Sequence, residues 1–284
     1  MKILVLGATG MAGHTISIYL KEAGHEVTAF SRRPIEYCNY VYGDITNLSF
    51  VKKLILNGKY DAVINAIGLL NHDAEDNKSL AVLLNSYLPH YLSDITKNIK
   101  TRIIHMSTDC VFSGKTGRYS ETSFKDGEIF YDRTKALGEL ENDKDLTFRN
   151  SIIGPDIKKD GIGLFNWFMK QEGQINGFTE VIWNGVTTLT LAKAMEQALT
   201  ENLTGLYNLV NNETISKYEL LKLFNKYIKN SELEILKCDK LSLDKSLINN
   251  RKDFSFNVPS YEQMVIEMKE WMENHQDLYQ HYFK

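Results

Sequence analysis

The chain has 284 residues, 43% of them apolar and 24% charged, and 33 Lys and Arg against 36 Asp and Glu give a net charge of −3. This near-average composition excludes a disordered tail, a collagen-like repeat and a coiled coil, and the balanced charge gives no electrostatic case for nucleic acid or an anionic membrane surface. Cys38, Cys110 and Cys238 stand in no CxxC spacing, no apolar run is long enough to span a bilayer, and Gly7 cuts short the apolar Met1–Leu6; the expectation is a cytoplasmic chain with free thiols and no signal peptide.

In chain order, Lys2–Leu6 reads as a strand and Met11–Ala23 as a helix whose Ile16, Tyr19, Leu20 and Ala23 keep the spacing of a face packed on a sheet. Glu26–Phe30 is a second strand and Asn39–Tyr42 a weaker third. The pattern then predicts a helix over Asn47–Leu56, a strand over Asp61–Ile67, and a helix over Leu80–Ile99 that Pro89 kinks or splits. A strand over Arg102–Ser107, a helix over Tyr131–Asn142 and a strand over Asp145–Arg149 complete the first half. Near-continuous apolar strands alternating with helices predict an α/β chain, a doubly wound parallel sheet covered on both faces.

After Asn150 the composition changes. Ser151–Gly177 is rich in glycine and carries the aromatic cluster Phe165, Trp167 and Phe168, read as lobe core or as a base-stacking surface. Leu189–Leu199 looks like another sheet-covering helix, Leu206–Val210 a strand, Lys217–Ile228 a helix, and the remainder a polar, irregular tail. The expected organisation is a sheet domain over residues 1–150, to which 180–202 returns. Residues 151–179 and 203–284 are expected to build a smaller C-terminal substrate lobe.

The segment Gly7-Ala8-Thr9-Gly10-Met11-Ala12-Gly13 follows the first strand and opens the first helix. Gly7 permits a tight turn, Gly10 lets backbone approach a pyrophosphate, and Gly13 packs helix against strand, while the N–H groups at the helix start face the phosphates. The expected cofactor contacts here are Gly7, Thr9, Gly10, Met11 and Gly13. Where NAD sites carry an acidic residue, the second strand ends in Ser31-Arg32-Arg33, which suits the 2′-phosphate of NADP; the alternative is a solvated basic turn. Asp44 either accepts from the adenine amine or closes a surface turn.

The fifth strand runs into Ser107-Thr108-Asp109, and Tyr131 and Lys135 lie one turn apart on a later helix. An ammonium beside the phenol favours phenolate and lowers its pKa toward the working range, so Tyr131 can exchange a proton with a carbonyl while Thr108 holds the developing oxyanion.

Together these residues resemble the extended short-chain dehydrogenase/reductase family over nearly the whole chain. Ser107-Thr108-Asp109-Cys110-Val111-Phe112-Ser113-Gly114 and Tyr131-Asp132-Arg133-Thr134-Lys135-Ala136-Leu137-Gly138-Glu139 are similar to its dTDP-4-dehydrorhamnose reductase branch. The resemblance implies a Rossmann sheet and Thr108, Tyr131 and Lys135 as catalytic trio, with Lys135 also holding the nicotinamide ribose. It further implies cofactor contacts from Ala66 and Gly68 of Asn65-Ala66-Ile67-Gly68 and from Asn85, which also steadies the active-site helix and its water. Ser107, Asp109, Trp183 and Asn184 are the expected substrate contacts. The chain departs from the branch in three places: Cys110 stands where a tyrosine is usual, no proline shortly precedes Tyr131, and Arg149–Gly154 lacks a tryptophan.

The histidines show no HxxxH or HExxH pattern, so no metal site is expected. Thr187 or Thr188 either caps a helix or lines the sugar pocket. Trp271, Tyr279, Tyr282 and Phe283 have the bulk of a docking tail, for this chain or for a partner in a homodimer. The implied function is NADPH-dependent reduction of a 4-keto-6-deoxy nucleotide sugar for surface polysaccharide, on a dTDP carrier or on UDP with an N-acetylated sugar. The other readings are a nucleotide-sugar epimerase and an NADP-binding regulatory subunit.

Overall fold

The computed structural model describes residues 1–283. Its first half runs β1 (Lys2–Leu6), α1 (Met11–Glu22), β2 (Glu26–Ser31), β3 (Asn39–Tyr42), α2 (Leu48–Gly58), β4 (Ala62–Asn65), α3 (Asn71–Asp76) and α4 (Lys78–Ala81). A π-helical turn (Val82–Tyr87) leads into α5 (Leu88–Thr96), β5 (Arg102–Ser107), a 3-10 turn (Asp109–Val111), α6 (Phe130–Leu137) and β6 (Leu146–Arg149). The second half opens with β7 (Ile152–Ile153), α7 (Leu164–Met169), β8 (Gln174–Phe178), β9 (Val181–Trp183), β10 (Val186–Thr187) and α8 (Thr188–Thr200). It closes with β11 (Gly205–Asn208), β12 (Ile215–Ser216), α9 (Lys217–Tyr227), β13 (Glu234–Cys238), β14 (Leu243–Asp244), α10 (Tyr261–Asn274) and α11 (Gln276–Tyr279).

Seven strands form one parallel sheet in the order β11-β6-β5-β4-β1-β2-β3. β4 is buried along its whole length, and its Val63 faces the opposite side from Ala62 and Ile64, so its sequence carries apolar residues on both faces. α1 packs with α8 on one side, and α2 with α5 on the other, where Val51, Ile55, Leu88 and Leu92 join Leu4 and Leu6 in a fully buried layer. The chain winds outward from β1 through β2 to β3, then crosses back to β4. The carboxyl ends of β1 and β4 therefore diverge and open a crevice, the place where ligands of open α/β sheets sit.

As expected, the helix over Leu80–Ile99 is divided beside Pro89: the π-helical turn interrupts it, and Pro89 falls in the first turn of α5. Two features differ from the expectation. Gly205–Asn208, expected in the substrate lobe, is the seventh strand of the central sheet, paired with β6. The polar tail contains α10, fourteen residues long, whose Tyr261, Met264, Val265, Met268, Trp271 and Met272 form a buried stripe. Its start is fixed by Ser260, whose hydroxyl accepts from the Gln263 N–H at 3.2 Å.

The remaining strands build small sheets beside the central one, β10 with β7, β12-β9-β14, and β13 with β8. Phe165 and Phe168 are buried against Phe224 and are core, whereas Trp167 is exposed. Thr187 caps α8, accepting from the Thr190 N–H at 3.2 Å.

The aromatic tail docks on its own chain. The Trp271 indole N–H donates to the Tyr279 oxygen at 3.0 Å, and the fully buried Tyr279 hydroxyl lies 2.6 Å from His14 Nε2. Burial pushes His14 down to about 4, so the ring is neutral; Nε2 accepts from Tyr279 and Nδ1–H donates to the Gly10 carbonyl at 2.9 Å. This relay ties the C-terminus to the glycine turn. Tyr282 adds a second tie to the lobe, through Asn166 and the Asp156 N–H.

Candidate active site

Gly7 leaves β1 with φ +83°, and a Cβ there would stand 2.9 Å from Ile67 and 3.1 Å from the Ala66 backbone. At Gly13 a Cβ would fall 2.2 Å from the Gly7 carbonyl oxygen, so α1 packs against the turn only because that position has no side chain. Gly10 is the N-cap of α1 and has no side chain to bond the first N–H groups of the helix, which stay available to an anion. Gly10 and Met11 line a cleft of about 450 Å³, and Thr9 lines a neighbouring groove of about 720 Å³. A dinucleotide pyrophosphate fits this bare helix start.

At the end of β2, Arg32 and Arg33 are exposed, and Arg33 lines the larger groove. Ser31 is buried, and its hydroxyl closes the turn by bonding the Arg33 backbone, so it is not free for a phosphate as expected. Asp44 likewise closes its own turn, accepting from the Thr46 N–H at 2.8 Å and the Thr46 hydroxyl at 2.7 Å. Those bonds, with the nearby Arg32 charge, hold its carboxyl below the usual range.

Across the crevice, Ala66, Ile67 and Gly68 line the cleft after β4. Asn85, expected against the cofactor, is fully buried behind them. Its amide accepts from the Leu69 N–H at 2.8 Å and donates to the Leu69 carbonyl at 2.9 Å and the Thr134 hydroxyl at 3.2 Å. It joins the loop after β4 to α6, a positioning role. Ser86 reinforces that joint from the same π-helical turn, donating to the Thr134 carbonyl at 2.8 Å.

Thr108, Tyr131 and Lys135 line one cleft. Thr108 leaves β5 in an extended conformation and caps the 3-10 turn, accepting from the Cys110 N–H at 3.2 Å. The Tyr131 phenol, 6% exposed, faces the Thr108 hydroxyl from the first turn of α6. Its pKa is a correction to the expectation. Burial drives it up, not down, because phenolate is poorly solvated there and Cys110 and Asp109 add negative potential. Lys135 does not reverse this, since its ammonium donates instead to the Met106 carbonyl at 2.6 Å, and burial brings it down to about 8. Tyr131 is thus a protonated acid at neutral pH.

The expected substrate contacts separate into two groups. Asp109 lines the cleft. Ser107 also borders it, but the hydroxyl donates to Glu139 at 2.6 Å. Asn184 does not reach the cleft, because its amide holds the backbone of Leu247 by accepting from the N–H at 2.9 Å and donating to the carbonyl. Trp183 is 3% exposed, and its indole N–H has no hydrogen-bond partner. Asn150, Ser151, Ile152 and Asp156 line the cleft unforeseen. Their signal was their position just past the carboxyl end of a sheet strand. Among the described residues no cluster of His, Cys, Asp and Glu is placed to hold a metal, and no helix is long and apolar enough to cross a membrane.

Comparison with known proteins places this geometry in context. A probable low-salt glycan biosynthesis reductase from Haloferax volcanii is 32% identical over 143 residues, 49% of this chain and 48% of that protein. A dTDP-4-dehydrorhamnose reductase from Aggregatibacter actinomycetemcomitans is 33% identical over 141 residues, 49% of this chain and 45% of that one. The chain thus spans about half the length of the curated relatives it matches. The crystal structure of dTDP-4-dehydrorhamnose reductase from Bacillus anthracis in complex with NADP superposes with a TM-score of 0.80 at 20% identity, covering 96% of this chain and 100% of that one. That likeness establishes a shared fold. The RmlD substrate binding domain family model matches residues 1–280, and the chain belongs to that family.

Proposed function

We propose that this protein is an NADPH-dependent reductase of a nucleotide-linked 4-keto-6-deoxy sugar, on a dTDP carrier, serving glycan biosynthesis. The observation that carries the reading is the convergence of Thr108, Tyr131 and Lys135 on the cleft that the glycine turn opens into. The names of the relatives, a glycan biosynthesis reductase and a dTDP-4-dehydrorhamnose reductase, support the substrate class.

The bare start of α1 holds the pyrophosphate, and Arg32 and Arg33 receive the 2′-phosphate. A reduced nicotinamide, when bound, supplies hydride for the substrate carbonyl. Tyr131 delivers the proton to the carbonyl oxygen, and its raised pKa keeps it in the acid form that reduction consumes. Thr108 hydrogen-bonds the same oxygen, and the Lys135 ammonium, held on the Met106 carbonyl, lines the same cleft.

NADPH oxidation tested against a panel of dTDP- and UDP-linked 4-keto-6-deoxy sugars checks the reading. Turnover of the dTDP-linked sugar is expected, with kcat/KM at least about a hundredfold lower for the free 4-keto sugar, or about 2.7 kcal/mol of transition-state binding. Simple ketones reduced as well as every nucleotide sugar would overturn it. Cofactor choice has its own check. Arg32→Ala should weaken NADPH about tenfold or more and leave NADH nearly unchanged, as measured by titration, because only NADPH loses a charge-assisted contact.

A further inference from the structure

The C-terminal tail reaches the glycine turn through three hydrogen bonds that all run in one direction. Trp271 of α10 can only donate, so its indole N–H, 3.0 Å from the Tyr279 oxygen, makes that hydroxyl an acceptor on one side. The Tyr279 O–H then donates to His14 Nε2 at 2.6 Å, which leaves the ring proton on Nδ1, and Nδ1–H donates to the Gly10 carbonyl at 2.9 Å. The Thr15 hydroxyl, 3.4 Å from Nε2, is turned to the Met11 carbonyl at 3.3 Å. Trp271, Tyr279 and His14 are all buried.

The Gly10 carbonyl and the Met11 N–H belong to one peptide unit, and in a planar trans peptide they point to opposite sides. A carbonyl held into the protein by the imidazole, and by the His14 backbone N–H at 3.0 Å, therefore turns the Met11 N–H outward. It does so at the helix start where Gly10 offers no capping side chain and where Gly10 and Met11 line the cleft. Each donor in the chain polarises the next, so the relay also strengthens that N–H as a donor. Three buried polar side chains cost desolvation that an apolar trio of the same bulk would avoid, so filling space does not account for them. The tail holds the facing wall as well. The Tyr282 hydroxyl donates to Asn166 and accepts from the Asp156 N–H at 2.9 Å, and the Asn166 amide donates to the Ile162 carbonyl at 2.8 Å. Asp156 and Ile162 line the same cleft as Gly10 and Met11.

We propose that His14 and Tyr279 are positioning residues of the cofactor site, whose relay from Trp271 sets the Met11 N–H for the dinucleotide pyrophosphate and makes the C-terminal tail part of its grip. The assignment rests on the cofactor reading above. Because the pyrophosphate is common to NADPH and NADH, the relay acts on both alike, whereas Arg32 acts on the 2′-phosphate alone.

Isothermal titration calorimetry on the full chain, well below its thermal midpoint, tests this with NADPH, NADH and adenosine 2′-phosphate as probes. His14→Leu is expected to weaken NADPH and NADH by the same factor, about tenfold, and Tyr279→Phe by about threefold, since a backbone hydrogen bond to a charged group is misdirected. Adenosine 2′-phosphate, which lacks the pyrophosphate, should bind wild type and variants alike, whereas a general loosening of the fold would weaken it with the others. His14→Asn, which returns a donor toward the Gly10 carbonyl, should recover most of the affinity. Should His14→Leu not fold, Tyr279→Phe decides, because its ring keeps the same slot. Dinucleotide affinities equal to wild type in the folded variants, or an equal loss for adenosine 2′-phosphate, would overturn the relay alone. A wild type that binds neither dinucleotide fails the cofactor reading, and the proposal falls with it.

Discussion

Turnover of Tyr131→Phe falls by about 10²–10⁴-fold, the range expected when a positioned general acid is removed. The structure makes this substitution a clean one. The phenol ring packs with Ala74, Ala81, Leu69 and Phe130, so a phenylalanine ring occupies the same slot and the fold is undisturbed. What disappears is the one hydroxyl that faces Thr108. Affinity for NADPH stays at the wild-type level, because the glycine turn and the arginines after β2 are untouched. Lys135→Met behaves differently and weakens both binding and turnover, since it removes a buried cation that also donates to the Met106 carbonyl at the end of β5. Stopped-flow measurement of NADPH oxidation, with cofactor titration alongside, separates the two variants. A Tyr131→Phe enzyme of near-normal turnover would sink the acid role.

The parts of this site that were legible in the sequence are those set by local spacing. Tyr131 and Lys135 share a helical face because they are four residues apart, and the glycine turn is fixed by its place between one strand and one helix. β3 and β5 were readable to the residue, since apolar runs bounded by polar residues define strands locally. The direction of the Tyr131 shift was not legible, because it depends on how many neighbours bury the phenol and on where the Lys135 ammonium turns. Residue type also announces hydrogen-bonding capacity without naming a partner. Ser107, Asn85 and Asn184 looked like site residues for their chemistry, yet each side chain is engaged within the protein. β11 joins the central sheet through pairing with a strand some sixty positions earlier, which no local pattern reports. α10 is the opposite case. Its Ser260-to-Gln263 cap and its stripe of apolar residues are plain in the sequence, but the polar residues between them disguised the helix.

Replacing Glu139 by glutamine should destabilise the protein by about 3–5 kcal/mol, the usual consequence of removing one partner from a buried ion pair. Both side chains of the Glu139–Arg149 pair are wholly buried, and the contact is two-pronged, Nε to Oε1 at 2.8 Å and Nη2 to Oε2 at 2.7 Å. Lys125 adds a third bond to Oε2 at 2.7 Å, and the Ser107 hydroxyl a fourth to Oε1 at 2.6 Å. Arg149 also lies 5.0 Å over the Phe112 ring, which stacks on Tyr119. The carboxylate, just past the end of α6, therefore binds the ends of β5 and β6 and the Lys125 loop into one unit. A neutral amide would leave the two cations facing each other across a group that cannot answer either charge. Burial alone would raise the Glu139 pKa, but Arg149 and Lys125 outweigh it and hold the carboxyl below its ordinary value of 4.5. A carboxyl depressed on folding contributes stability above its unfolded pKa and loses it as pH falls through the folded value. The gap between wild type and Glu139→Gln is thus expected to be full at neutral pH and to narrow on acidification below about pH 4.5. Urea unfolding at neutral and acid pH measures both. A gap that is absent at neutral pH, or constant across the range, would show that the carboxylate charge is not what joins these elements. Because Ser107 directly precedes Thr108, the same variant should also lose turnover, by letting the Thr108 hydroxyl, proposed above to bind the oxyanion, drift from the phenol it faces.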